Sequence, residues 1–149
     1  MELPKRWLIA TDGSKYAEMS VDYAAGLYGA IRPKPEVTLL HVIPDPTDSQ
    51  SRNPMTALTK EKERGKKILK NAKDKFAAAA GKADTVHTMV AIGEPRQVIV
   101  EIAKGNKTDH VIMGGSDYRW RITDLLSGGV TNYILHHLQC VITVIKWCV

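Results

Sequence analysis

Five short runs of aliphatic and β-branched residues, separated by longer stretches with apolar residues at three- and four-residue steps, constrain this chain more than any other feature. The runs are Trp7 to Thr11, Val37 to Ile43, Thr85 to Ile92, His110 to Met113 and Val141 to Trp147. Most are continuously apolar rather than strictly alternating, which predicts strands buried on both faces. Strands that alternate with helices predict an α/β fold, an open parallel sheet covered by helices on both sides.

The intervening segments read as helices. Ser14 to Gly29 places Ala17, Val21, Ala24, Ala25 and Tyr28 on one face, with Ser14 in position to cap the first turn. Leu58 to Ala80 repeats Leu58, Ile68, Leu69, Ala72, Phe76 and Ala79. Pro95 to Lys104 opens with proline in the first turn, where its missing N–H costs nothing. A last helix is expected from about Val130 to His137. Pro44 to Pro54, rich in proline and small polar residues, reads as a loop and as the most mobile part of the chain. No internal repeat or second domain is apparent, so residues 1–149 are expected to form one domain.

Composition narrows the class. With 149 residues, folding should bury roughly 68 to 70% of the unfolded surface. Hydrophobic residues make up 44% and charged residues 25%, which is globular rather than disordered usage. No apolar run approaches the length of a membrane span, and no signal-peptide pattern precedes the first strand, so a cytoplasmic protein is expected. Cys140 and Cys148 are the only cysteines and lie in no metal-ligand spacing. The net charge of +5 is unevenly placed: residues 60–82 hold nine Lys/Arg against three acids, a local +6, and the remainder nets −1. The one aromatic residue in that stretch, Phe76, belongs to the apolar face and none lies among the lysines of the other, so the run reads as a solvated helix face, with nucleic-acid contact disfavoured.

In an open parallel sheet, ligands bind beyond the C-terminal ends of the strands, where the winding reverses. Two stretches follow strands in the required way. Thr11-Asp12-Gly13-Ser14 follows the first strand, and Met113-Gly114-Gly115-Ser116-Asp117 follows the fourth, leading on to Gly128-Gly129 before Val130. Glycines at a strand-to-helix turn let backbone N–H groups approach an anion, and a helix N-terminus adds partial positive charge. Taken alone, Gly-Gly before a helix is a weak sign of phosphate binding, and Asp-Gly-Ser is also ordinary turn chemistry.

Five features in order resemble the universal stress protein family: Leu8 to Ser14, Leu39-Leu40-His41-Val42, Gly93-Glu94-Pro95, Asp109 to Gly114, and the glycine-rich connection to the closing strand. The resemblance covers essentially the whole chain. It implies a five-stranded parallel sheet of order 3-2-1-4-5 and a homodimer pairing through the last strand, Val141 to Trp147. It also implies, in members that bind ATP, adenine and ribose near the positions of Asp12 and Val42, with Mg only alongside the nucleotide. The phosphates in such members lie in a Gly-x2-Gly-x9-Gly-Ser/Thr loop. The resulting candidate contact residues are Thr11, Asp12, Val42, Met113, Gly114, Gly115, Asp117, Arg119, Arg121, Gly128, Gly129 and Val130.

This chain departs from that loop. Counted from Gly114, Asp117 stands at the second glycine, Gly128 falls one residue late, and Gly129 replaces the hydroxyl residue. Counted from Gly115, the spacing to Gly128 is restored but Tyr118 takes the second glycine. A carboxylate about 4 Å from a phosphate costs about 1 kcal/mol in water and about 4 at an effective dielectric of 20. A lost hydroxyl bond to a charged oxygen adds roughly 1.5 to 3. Arg119 and Arg121 in the same connection would offset part of this. Two readings therefore stand: a regulatory protein that binds an adenine nucleotide, and a nucleotide-independent dimeric interaction module. An adenylating enzyme would need a pyrophosphate loop after the first strand, which Thr11 to Ser14 does not supply. No nucleophile elbow or paired-carboxylate spacing appears, and the histidines are scattered, so neither catalytic residues nor a metal site is expected.

Overall fold

A computed structural model describes residues 2–48, 52–115 and 129–146. Its elements are β1 (Arg6–Ala10), α1 (Lys15–Ala30), β2 (Glu36–Ile43), a 3₁₀ turn (Pro46–Asp48), α2 (Pro54–Ala80), β3 (Val86–Ile92), α3 (Pro95–Gly105), β4 (His110–Gly114), α4 (Val130–His137) and β5 (Val141–Ile145). The strands form one sheet of order β3-β2-β1-β4-β5, and every pairing is parallel. Winding runs outward from β1 in both directions, so the reversal falls between β1 and β4.

Strand pleating sends alternate residues to two separate cores. On one face Trp7, Ile9, Val37, Leu39, Val86 and Ile112 pack with Val21, Ala24, Tyr28, Leu69, Ala72 and Phe76 of α1 and α2. On the other, Leu8, Leu40, Val111 and Met113 pack with Ile99, Val100, Ala103 and Ile134 of α3 and α4. Phe76 sits edge-on to Tyr28 with ring centroids 5.3 Å apart. The Tyr28 hydroxyl meets Thr85 Oγ1 at 2.8 Å. Thr85 Oγ1 in turn donates to the Pro35 carbonyl at 2.7 Å, so the tyrosine is the donor of the first bond.

The expectation that the strands are buried on both sides holds for β1, β2 and β4 but not for β3 and β5, whose residues are largely half-buried or exposed. Both are sheet edges, with one flank and part of each face uncovered. The reading of Pro44 to Pro54 as loop also needs correction at its end. Pro54 begins α2, four residues before the expected start, because Asn53 caps the helix by accepting from the Thr56 amide at 3.3 Å. Proline's fixed φ suits that first position. Trp147 lies outside the described residues. No described helix is long and apolar enough to cross a membrane.

Asp109 is a structural clamp: its two carboxylate oxygens accept from the Lys5 and Arg6 amides, each at 2.8 Å. The neighbouring His110 is 6% exposed and lies edge-on to Trp7. Its Nε2 meets Thr143 Oγ1 of β5 at 2.8 Å, while Nδ1 is buried without a hydrogen-bond partner among the described residues. Burial lowers the His110 pKa from the ordinary 6.5, against an opposing pull from Asp109. Below about pH 6.5 the unfolded chain therefore binds a proton that the folded chain refuses, and stability should fall as pH falls. Urea unfolding at pH 7.5 and 5.5 should show this loss, reduced in His110→Gln; an equal loss in both proteins assigns it to other groups.

Candidate functional site

The rim at the C-terminal ends of β1 and β4 gathers the described candidate residues. Because Ile9 pairs with Ile112 in parallel register, the two following turns leave the sheet side by side. Thr11 is buried, and its amide continues the ladder to Leu40 O at 2.8 Å. Its carbonyl accepts from His41 Nδ1 at 2.9 Å. Asp12 is exposed, and its Oδ1 accepts the Ser14 amide at 2.9 Å. Gly13 takes φ +78° and the Ser14 hydroxyl accepts from the Ala17 amide at 3.4 Å. The turn role of Asp12 is thus realised, while Oδ2 has no hydrogen-bond partner among the described residues.

Val42 lies on the α3/α4 side of β2, beside Ala91 of β3, with one side open. It packs in the same cluster as Ala10 and Met113.

Gly114 and Gly115 occupy the end of β4 for packing reasons as well as for any ligand. A Cβ on Gly114 would stand 2.5 Å from the Tyr16 carbonyl carbon and oxygen and 2.8 Å from the Ala17 amide nitrogen. Only glycine lets the first turn of α1 lie that close to β4. Gly115 donates to Ile145 O at 2.8 Å. Gly114→Ala should push the first turn of α1, and the Asp12 turn with it, away from β4 and lose about 1–3 kcal/mol of stability. The same variant should shift the amide NMR signals of Asp12 and Gly13; unmoved signals would show that the contact is readily relaxed.

Across the rim, α4 begins at Gly129, which makes no side-chain cap bond. A Cβ there would meet nothing within 4 Å. The first-turn amides, with Val130 at N1, therefore start from an open glycine, an arrangement that suits an anion. Asp117, Arg119, Arg121 and Gly128 lie outside the described residues.

Three residues support the turn in ways a motif-based reading does not give. His41, within a strand motif, holds the Thr11 carbonyl, and Gly65 of α2 makes room for its ring: a Cβ there would lie 2.6 Å from His41 Cδ2. Arg64 of α2 donates to the Asp12 carbonyl at 3.3 Å. A glycine in the middle of a helix was the available signal, since it costs about 1 kcal/mol against alanine and calls for a packing reason. Among the described residues no cluster of three or more His, Cys, Asp or Glu could hold a metal ion.

A doubly wound parallel sheet with two glycine-bearing turns at its reversal point defines the class as an open α/β domain, with the rim as its candidate site. The model of the universal stress protein family matches residues 4–146, and the chain belongs to that family. It is 28% identical to a putative universal stress protein of Staphylococcus aureus, over 95% of this chain and 84% of that protein. A universal stress protein of Synechocystis is 33% identical over 54 residues, 36% of this chain and about half (49%) of that protein's length. Among solved structures, hypothetical protein MJ0577 superposes with a TM-score of 0.79 at 25% identity, covering 97% of this chain and 96% of that one. A universal stress protein crystallised in complex with cAMP superposes with a TM-score of 0.76 at 20% identity, over 97% and 99% of the two chains.

Proposed function

We propose that this protein is a regulatory member of its family that binds an adenine nucleotide at the rim between the β1 and β4 turns, and that it acts by binding rather than catalysis. The observation that carries this reading is the juxtaposition itself. Asp12, directly after β1, keeps a carboxylate oxygen free of the turn, as a ribose hydroxyl requires, Val42 and Met113 belong to one apolar cluster near the ends of their strands, and the glycine start of α4 lies at the same rim as a place for phosphate. The fold relative that holds cAMP supports the nucleotide class.

The departures at Asp117 and Gly129 weigh more against a triphosphate than against a singly charged cyclic monophosphate. Titration calorimetry with ATP plus magnesium and with cAMP tests the proposal. Saturable heat with either that is lost in Asp12→Ala supports it; heat unchanged in Asp12→Ala, or none with both at millimolar concentration, rejects it, the latter in favour of a nucleotide-independent interaction module.

A homodimer through β5 belongs to the same proposal. β5 is an edge strand of β-branched residues, with Val141 41% exposed, and an uncovered edge of this kind favours pairing with a second strand. Sedimentation equilibrium should give twice the chain mass; a monomer at high micromolar concentration would remove this part.

A further inference from the structure

Apart from Arg64, which holds the Asp12 carbonyl, and Lys75, which pairs with Asp22 of α1, the cations of the basic face of α2 serve neither the rim nor the packing of α2 on its neighbours. Its cations divide into two groups. Arg64, Lys66, Lys70 and Lys75 form ion pairs with Glu61, Glu63, Asp74 and Asp22. Lys60, Lys62, Lys67 and Lys73 are exposed and make no ion pair among the described residues. Helical spacing separates these four further: Lys62 and Lys73 stand on one flank, and Lys60 and Lys67 on the other.

The flank with Lys60 and Lys67 borders an open groove of about 420 Å³, which Arg64, Ile68 and Asn71 also line. Lys60, Arg64, Lys67 and Asn71 follow at i, i+4, i+7 and i+11, one stripe of N–H donors about 16 Å long at 1.5 Å rise per residue. Glu63 is the one acid in the groove lining, and Lys66 pairs with it at 3.5 Å. The groove ends beside the β1 turn, where Gly13 lies over the Ile68 side chain and Arg64 holds the Asp12 carbonyl.

We propose that this groove is a second anion site, which takes an oligophosphate laid along α2 across Lys60, Arg64, Lys67 and Asn71. The chemistry is that of the groove. Single exposed ion pairs contribute little, but a linear multivalent anion meets several donors of one stripe at once, without ordering a second flexible side chain for each contact. Lys60 and Lys67, with no acid of their own among the described residues, give up no existing pair on binding, and the Arg64–Glu61 pair beside them is exposed and 3.6 Å long. A monovalent anion would gain only one such contact. An aromatic or apolar ligand would leave the ammonium groups without a partner, and among the described residues the groove lining holds no ring to stack on. The site does not depend on the nucleotide reading, because it needs neither Asp12's carboxylate nor the α4 start.

The test uses the full chain and sodium tripolyphosphate, an anion without base or sugar, titrated by calorimetry at 50 and 200 mM salt. Saturable binding that weakens with salt is expected. Lys60→Gln/Lys67→Gln should lower the affinity at least tenfold, and Lys62→Gln/Lys73→Gln, which removes the same charge from the other flank, less than threefold. Circular dichroism checks that both variants keep α2. Equal losses in the two variants would overturn the groove in favour of diffuse attraction by net charge, and so would the absence of saturable binding at millimolar tripolyphosphate. A DNA duplex that binds through both flanks and is not displaced by tripolyphosphate would overturn it in favour of a nucleic-acid surface. Because adenosine is absent from the probe, failure here leaves the rim proposal standing, and failure of nucleotide to bind the rim leaves this one standing.

Discussion

Asp117→Gly should strengthen ATP binding by roughly fivefold to a thousandfold, the range that corresponds to relieving about 1 to 4 kcal/mol of carboxylate–phosphate repulsion. The lower end applies if water fills the space between the groups, and the upper end if the loop excludes it. The gain should be larger for ATP than for cAMP, because the repulsion scales with the charge on the phosphates. Calorimetry with both ligands on both proteins measures it. An unchanged ATP affinity would show that Asp117 lies away from the phosphates, and the case for a charge-impaired loop would be lost.

Phe76→Ala should remove about 3–5 kcal/mol of stability, a large part of the 5–15 kcal/mol that holds an ordinary domain folded. Phe76 is fully buried and closes the core between α1 and α2 against Tyr28. The loss combines the transfer energy of the ring with the cavity left beneath Tyr28, whose own hydroxyl is tied through Thr85 to Pro35. Tyr28 is therefore poorly placed to collapse into the gap. The urea midpoint should fall, with the slope of unfolding free energy unchanged. A loss below about 1 kcal/mol would mean that α2 moves in to fill the space.

Different parts of this molecule were legible to different degrees. The five strands and four helices of the described residues are written in apolar periodicity, and the last of these helices, Val130–His137, falls where its pattern puts it. Ser14 as a cap was readable because a hydroxyl before an apolar-periodic run has one common use. The start of α2 was missed because a proline among polar residues signals a loop and a first helical turn equally well. Asp109 belonged to a recognisable motif, yet its work as a clamp on the Lys5 and Arg6 amides depends on residues more than a hundred positions away. The role of Gly114 was half legible. Glycine at a strand end suggested room for a ligand, and the coordinates show α1 lying against it.

The chain by itself determined the class of fold, since a parallel sheet covered on both faces is the arrangement that buries five apolar runs alternating with amphipathic helices. It also determined which turns carry the candidate chemistry, because those turns follow strands directly. Tertiary structure alone decided that the β1 and β4 turns share a rim and that His41 and Arg64 hold the backbone of the first. The physical reason is distance along the chain. Periodicity is local and repeats every two or 3.6 residues, whereas these contacts join residues 30 to 100 positions apart and exist only once the sheet has brought their elements together.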